Sequence, residues 1–211
     1  ARPQEGYVVS TKTDRVNRAR QTALELLLSD HTGDCRGPCK LNCPAMTDCQ
    51  KYVGGIREGR YKDADSTIYE AFPLPASIGR VCPHPCEDAC RRKMVEEPIS
   101  IAFLKAFAAD KIEADGDPYV VSCEPDTGKR VAIIGGGPAG LTAAYFLRRY
   151  GHAVTIFDQQ PKMGGMLRYG IPEYRLPKAV LAAEVKQIED LGVVMCNNVK
   201  VGKDVTLESL R

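Results

Sequence analysis

The sequence lacks several features that would assign it at once to a large class of proteins. No apolar run approaches the ~18 residues that a membrane-spanning helix needs, and the longest, residues 99–109, is interrupted by Lys105. The N-terminus has no apolar core of a signal peptide. The formal net charge is only +2, so the chain has no excess of positive charge for nucleic acid or a membrane surface. We therefore expect a cytoplasmic globular protein of one or two domains, with no membrane span and no nucleic-acid partner.

Cysteine, by contrast, is abundant. The chain of 211 residues has nine cysteines, and seven of them fall in two groups, at residues 35–49 and 82–90. The reducing cytosol disfavours disulfides, so grouped cysteines in such a chain predict metal ligands. Cys123 and Cys196 stand alone in the sequence.

The spacing of the grouped cysteines indicates which metal centre to expect. Cys39 and Cys43 form C-x3-C-P, which resembles the end of the cysteine run in two-cluster ferredoxins. The second group has the spacing C-x3-C-x3-C, whereas zinc sites favour C-x2-C pairs. We predict iron–sulfur clusters, with zinc ligands and redox-active thiols as the alternatives.

The pattern of the chain changes near residue 120, where the turn-rich segment 122–129 indicates a linker. The earlier part predicts a short strand within residues 5–12 and several helices. The predicted helices are 14–28, 48–58, 61–71 and 99–110. Prolines such as Pro73 and Pro75 are expected to end helices and to hold the cysteine loops out of helical conformation.

From Arg130 onward, short apolar runs alternate with helical patterns. The predicted strands are 131–134, 154–157 and 193–195, and the predicted helices are 138–150 and 177–191. This order predicts a parallel sheet with right-handed crossovers, an α/β arrangement. The expected regions are an N-terminal strand and helix (1–29), a helical cysteine-rich domain (30–121) and the α/β part (130–211).

A glycine-rich loop joins the first predicted strand to the following helix. The segment GGGPAG fits G-x-G-x-x-G in the context that a dinucleotide site requires. Gly135 would allow the tight turn, Gly137 the approach of a pyrophosphate, and Gly140 the packing of helix on strand. Asp158, at the end of the second strand, is placed to accept a hydrogen bond from a ribose hydroxyl. The predicted contacts of the loop are Gly135, Gly136, Gly137, Pro138, Ala139 and Gly140.

Residues 131–144 and the stretch GGMLRYGIPEYRLPK at 164–178 resemble the FAD domain of the glutamate synthase small-subunit family, which includes NADPH–ferredoxin oxidoreductases and part of dihydropyrimidine dehydrogenase. The resemblance implies an FAD-binding, Rossmann-like domain. It implies FAD contacts from Gly164, Gly165, Met166, Leu167 and Arg168, with Gly170, Ile171 and Pro172 near the isoalloxazine. Where the family usually has Glu, this chain has Asp158. In such enzymes an inserted NAD(P)H-binding domain follows, so we expect the chain to be a portion of a larger polypeptide.

Residues 73–101 resemble the N-terminal domain of the same family, which holds two [4Fe-4S] clusters. On this resemblance, His31 stands where the family has its first cysteine, and Cys35 lies one residue beyond its second, at Asp34. A polar helix ligand of the family falls at Lys105, and a protonated lysine cannot ligate iron. Cys49 is the candidate to replace it. The implied clusters are His31, Cys35, Cys39 and Cys90 for one, and Cys43, Cys49, Cys82 and Cys86 for the other.

Residues 6–31 resemble a segment of the large iron–sulfur subunit of NADH dehydrogenase and of iron hydrogenases. There the segment follows a [2Fe-2S] domain and leads to a cluster with one His and three Cys ligands. The resemblance supports His31 as a ligand and implies a ferredoxin-like domain before Ala1. A neutral imidazole in place of a thiolate should raise the reduction potential of that cluster, as in Rieske centres.

The two resemblances together imply an oxidoreductase subunit that passes electrons between FAD and two [4Fe-4S] clusters. No residue is a convincing general acid or base. The expected partners are NAD(P)H, through a domain absent from this chain, and redox subunits of ferredoxin, hydrogenase, formate dehydrogenase or NADH dehydrogenase type. The alternatives are an ordinary glutamate synthase small subunit, a non-catalytic electron-relay or docking subunit, and a zinc-binding assembly module.

Overall fold

The computed structural model describes residues 5–6, 8–31, 35–116 and 119–211. The chain divides into two compact units, one up to Gly37 and one from Pro38 to Arg211. In the first unit, α1 (Asp14–Ser29) is the helix that the sequence predicts. The Thr13 hydroxyl caps it by accepting a hydrogen bond from the Val16 amide at 3.3 Å. No residue within α1 is buried.

The strand predicted within residues 5–12 is not formed at the described residues of that segment, and Tyr7 lies outside them. Val8 and Val9, whose β-branched side chains favoured the prediction, are 96% and 79% exposed. A strand needs a hydrogen-bonded neighbour, and the described strand pairs all lie in the second unit. β-propensity alone is therefore not enough to form a strand here.

The second unit begins with six helices. They are α2 (Pro38–Leu41), α3 (Cys49–Arg57), α4 (Tyr61–Tyr69), α5 (Pro75–Val81), α6 (Pro85–Asp88) and α7 (Ile101–Asp115). The predicted helices at 48–58, 61–71 and 99–110 are confirmed as α3, α4 and α7. Helix α4 ends at Tyr69, before Pro73, as expected, although Pro75 begins α5. The expectation that prolines hold the cysteine loops out of helical conformation is wrong, because α2 and α6 each begin with one. Proline suits the first helical position, where its missing N–H would have no intrahelical partner.

These helices share one apolar core. Tyr52 of α3 is fully buried, and its hydroxyl donates a hydrogen bond to the carbonyl oxygen of Ile101 at 2.9 Å. Helices α5 and α7 approach closely at Gly79, where an added Cβ would lie 2.6 Å from the backbone nitrogen of Ala106. The same core includes the cysteines Cys49 and Cys86.

The remainder of the unit is the predicted α/β part. Its elements are β1 (Arg130–Ile134), α8 (Pro138–Arg149), β2 (Ala153–Phe157), α9 (Met166–Tyr169), α10 (Lys178–Asp190) and β3 (Val194–Cys196). The three strands are parallel in the order β1-β2-β3, with Ala132 opposite Thr155 and Thr155 opposite Val194. This confirms the predicted fold class, a helical domain followed by a partial Rossmann-like domain.

One buried carboxylate links the helical and α/β parts. Glu184 of α10 accepts hydrogen bonds from the backbone amides of Ala76 at 2.6 Å and of Ser77 at 3.2 Å. These amides belong to the first turn of α5, where N–H groups have no intrahelical acceptor. The bonds fix α10 against the helix that leads to Cys82. Among the described residues, no helix is long and apolar enough to cross a membrane.

Candidate iron–sulfur and dinucleotide sites

The structure brings several predicted cluster ligands of the second unit close together. Cys39 lies in α2, Cys49 begins α3, and Cys86 lies in α6. The Cys49 thiol lies 3.8 Å from the carbonyl oxygen of Cys39 and shares a hydrogen bond with the sulfur of Cys86. Cys43 contacts the same region, with its sulfur 3.4 Å from the hydroxyl oxygen of Thr47. The two predicted ligand sets therefore adjoin each other at Cys39 and Cys49.

The thiols in this region have perturbed pKa values. The hydrogen bond to Cys86, together with burial, raises the pKa of Cys49. The same bond, assisted by the nearby ammonium of Lys105, lowers the pKa of Cys86 to about 7 although burial opposes the change. Burial raises the pKa of Cys39. The pocket thus already favours a negative charge on one sulfur, which is the state that ligates iron.

Cys82 and Cys90 stand on either side of α6. Cys82 follows α5 directly, and its sulfur accepts a hydrogen bond from the backbone amide of His84 at 3.3 Å. Cys90 follows the end of α6 and is half-buried. Cys123 is exposed and Cys196 ends β3, in a different part of the unit from the grouped cysteines.

In the first unit, His31 and Cys35 are neighbours. The His31 Nε2 atom lies 3.5 Å from the sulfur of Cys35. Residues 32–34, including the position Asp34 that the resemblance aligns with a family cysteine, lie outside the described residues. Two predicted ligands of one cluster are therefore within contact distance of each other.

The candidate ligands, seven cysteines and one histidine, are of the types that bind iron–sulfur clusters. Soft sulfur ligands select iron–sulfur clusters as well as zinc. Within the described part of the chain, no three or more His, Cys, Asp or Glu side chains converge in a geometry that could hold a single metal ion. A cubane presents a separate iron atom to each ligand, so its thiolates stand farther apart than those around one ion. Cys39 lies in the same region as Cys49 and Cys86, although the resemblance assigns it to the other cluster.

Lys105 occupies an unusual position for a lysine. It lies on α7 with only 4% of its surface exposed, and its Nζ stands 4.9 Å from the centre of the Phe72 ring. Its charge acts on the sulfur of Cys86. In the sequence, this position is notable only because the family has a polar ligand there and a protonated lysine cannot ligate iron.

The glycine-rich loop has the close contacts that the motif predicts. Gly135 has a φ of +100°, and a Cβ on Gly140 would lie 1.9 Å from the carbonyl oxygen of Gly135. A Cβ on Gly165 would lie 2.7 Å from the Cα of Gly137. The amide of Gly164 donates to the carbonyl oxygen of Gly136 at 2.7 Å. The two glycine-rich stretches therefore pack directly on each other.

Asp158 is buried at the end of β2 and bonds to the loop itself. One carboxylate oxygen accepts a hydrogen bond from the Gly136 amide at 2.5 Å, and the other accepts one from the Gln160 amide at 2.8 Å. The carboxylate therefore fixes the turn of the first stretch. The predicted hydrogen bond to a ribose hydroxyl would use its remaining lone pairs.

The residues of the second stretch have different surroundings. Leu167 is buried in the core, whereas Met166 is 70% exposed. The Arg168 guanidinium donates to the Met163 carbonyl at 2.6 Å, so it braces the stretch. Ile171 packs against the core, and Gly170 and Pro172 adjoin it in the chain.

Sequence reasoning missed the role of Lys178. Its ammonium donates to the carbonyl oxygen of Leu167 at 3.0 Å and to that of Ile171 at 2.5 Å. Both acceptors belong to the second glycine-rich stretch, so this lysine holds α10 to it. The sequence feature that could have indicated this role is the position of Lys178 at the end of the stretch 164–178.

A helical domain with grouped thiols, joined to a glycine-rich βαβ unit, defines a class of iron–sulfur proteins with a dinucleotide-binding domain. Residues 11–117 match the family described as dihydropyrimidine dehydrogenase domain II, 4Fe-4S cluster. Residues 133–181 match the NAD(P)-binding Rossmann-like domain. The chain belongs to this family of glutamate synthase small-chain and dihydropyrimidine dehydrogenase-like proteins, as the sequence motifs predict.

Three relatives illustrate the similarity. The beta subunit of an NADP(+)-dependent formate dehydrogenase from Moorella thermoacetica is 43% identical over 195 residues, covering 82% of this chain and 28% of the relative. The PreT subunit of an NAD-dependent dihydropyrimidine dehydrogenase from Escherichia coli O157:H7 is 43% identical over 177 residues, covering 82% and 42%. The glutamate synthase [NADPH] small chain of Mycobacterium tuberculosis is 36% identical over 179 residues, covering 84% and 37%. The chain thus spans well under half the length of these relatives.

Proposed function

We propose that this chain is the electron-transfer part of an NAD(P)H-dependent oxidoreductase subunit that passes electrons between FAD and two [4Fe-4S] clusters. The observation that carries the proposal is the convergence of Cys39, Cys49 and Cys86 in a helical domain bonded to the α/β part through Glu184. Family membership supports the cluster domain, and the names of the relatives support NAD(P)H-dependent redox chemistry.

The cluster ligands that we propose remain those that the family resemblance implies. One cluster would use His31, Cys35, Cys39 and Cys90, and the other Cys43, Cys49, Cys82 and Cys86. The contact of His31 with Cys35 supports the first set. The hydrogen bond between Cys49 and Cys86 supports the second. An amide such as that of His84, donating to the Cys82 sulfur, would stabilise the thiolate.

The flavin site would use both glycine-rich stretches. The N–H groups at the start of α8 would bind the pyrophosphate, and Asp158 would bind the ribose while holding Gly136. Arg168 and Lys178 would hold the second stretch in place through backbone carbonyls. FAD, when bound, supplies the conversion between two-electron hydride transfer and single-electron transfer.

The same comparisons support the substrates and partners that we propose. NAD(P)H would react in a region that this chain does not contain, because the relatives are more than twice as long. The electrons would then pass to or from another redox subunit, of a kind that the formate dehydrogenase and dihydropyrimidine dehydrogenase relatives exemplify.

Metal analysis tests the proposal. The anaerobically purified protein should contain about eight iron and about eight sulfide per chain, as two cubanes require, and should give EPR signals after reduction. Cys86→Ser should lose iron, whereas Cys196→Ser, which changes a cysteine outside the groups, should not. Zinc without sulfide would contradict the cluster assignment. Flavin content, measured on the full-length polypeptide, tests the FAD assignment separately.

A further inference from the structure

We propose that Lys105 is a buried counter-ion that raises the reduction potential of the cluster held by Cys49 and Cys86. The inference rests on the proposed function, because it needs a cluster at these cysteines. It concerns a residue that is not itself a ligand and that acts through its charge.

The burial of Lys105 needs an electrostatic explanation. Lysine is almost never fully buried unless it is paired, because a buried ammonium loses its hydration. Lys105 is 4% exposed, and within the described residues it forms no ion pair with a carboxylate. The Phe72 ring, at 4.9 Å from its Nζ, offers a weak cation–π contact. That contact leaves most of the cost of burial uncompensated.

The group on which the charge of Lys105 acts is a sulfur atom in the same buried cluster as Phe72. The charge of Lys105 acts on Cys86, which shares a hydrogen bond with Cys49. The carboxylate of Glu87, the residue after Cys86, accepts a hydrogen bond from the Ala102 amide at 2.8 Å and lies 3.5 Å from the Nδ1 of His84. The thiolates of Cys49 and Cys86, when bound to a cluster, would therefore supply the negative charge that balances this ammonium.

The effect on the potential follows from Coulomb's law. A thiolate-ligated cluster is anionic and gains a further negative charge on reduction, so a fixed cation stabilises the reduced form more than the oxidised form. The effect is weakly screened because Lys105 and Cys86 are both buried. Removal of the charge should make the cluster harder to reduce.

The experiment is an EPR-monitored redox titration of the anaerobic, cluster-loaded protein, with iron content measured in parallel. Lys105→Met keeps the length of the side chain and removes the charge. We expect at least a tenfold fall in the ratio of reduced to oxidised cluster at a fixed potential, which is about 59 mV for a one-electron couple. The shift should persist at high salt. Lys111→Met is the matched control, because Lys111 lies on the same helix, its side chain is 40% exposed, and it is paired with Asp115 at 2.7 Å.

Each other outcome has a definite meaning. A Lys105→Met protein with full iron content and an unchanged potential would overturn the inference and leave the clusters intact. If Lys105→Met does not assemble its cluster, Lys105→Arg must assemble it with a potential close to that of the parent. Loss of the cluster in both variants would assign Lys105 to packing and would also overturn the inference. Absence of cluster signals in the parent protein would instead refute the proposed function.

Discussion

Asp65 is expected to make the stability of this protein fall as the pH rises. It lies on α4, is 2% exposed, and its Oδ1 has no hydrogen-bond partner among the described residues. Burial raises the pKa of its carboxyl group from 3.8 to about 7. An ionised carboxylate in this position is therefore costly.

The size and sign of the effect follow from that shift. A change from 3.8 to about 7 is roughly three pH units, and at 1.36 kcal/mol per unit it corresponds to about 4 kcal/mol. The folded state holds the proton more tightly than the unfolded state, so the full stability is present below about pH 4 and is lost as the pH rises through about 7. Asp65→Asn removes the charge, so at pH 8 it should raise the free energy of unfolding by up to about 4 kcal/mol. At pH 5, about one unit above the ordinary pKa of 3.8, the increase should be smaller, about 1.5 kcal/mol.

The measurement is a denaturant titration of anaerobic, cluster-loaded protein at pH 5 and pH 8, followed by circular dichroism. Asp63→Asn is the control, because Asp63 lies on the same helix in an exposed ion pair with Arg60, which should contribute at most about 1 kcal/mol. Part of the pH dependence should remain in Asp65→Asn, since burial also raises the pKa of Glu184 to about 7. If Asp65→Asn lowers the stability at pH 8, or leaves the pH dependence unchanged, the reasoning is wrong.

Three further results are expected. Gly79→Ala should lower the free energy of unfolding by about 1–3 kcal/mol, because its Cβ would meet the backbone of α7. Gly54→Ala, with nothing within 4 Å of the added Cβ, should raise it by up to about 1 kcal/mol, and denaturant midpoints compare the two. His31→Cys should lower the potential of one cluster in a redox titration, and an unchanged potential would count against ligation by His31. Cys49→Ala should lose iron. Adding Lys105→Gln to Cys49→Ala should restore the iron content, because it places a polar side chain where the family has its helix ligand.

The sequence predicted the longer elements because their signals are local. Apolar periodicity identified α1, α3, α4 and α7, and alternation of short apolar runs with helices identified the parallel sheet. The short helices α2, α5, α6 and α9 span only four to seven residues, which is too few to show a helical period. Three of them, α2, α5 and α6, begin with a proline, which the first turn of a helix accepts but which also occurs where helices break.

The site was predictable to a similar extent. The glycine-rich loop follows a motif in which each glycine has a local reason, so its close contacts could be anticipated. The bonds of Glu184 to α5 could not, because they join residues more than 100 positions apart. The burial of Lys105 against Phe72 likewise depends on how α7 packs, which periodicity does not specify.

The prolines that misled the sequence reading also explain how sulfur atoms are oriented. Cys39 and Cys86 each directly follow a proline that begins a short helix. The backbone at the start of α2 and of α6 lowers the pKa of the adjacent Cys39 and Cys86 thiols, although burial raises the pKa of Cys39 on balance. Backbone hydrogen bonds to sulfur favour the thiolate over the thiol. A Pro-Cys pair within a cysteine group therefore indicates a short helix that begins directly beside a sulfur atom, rather than a break in helical structure.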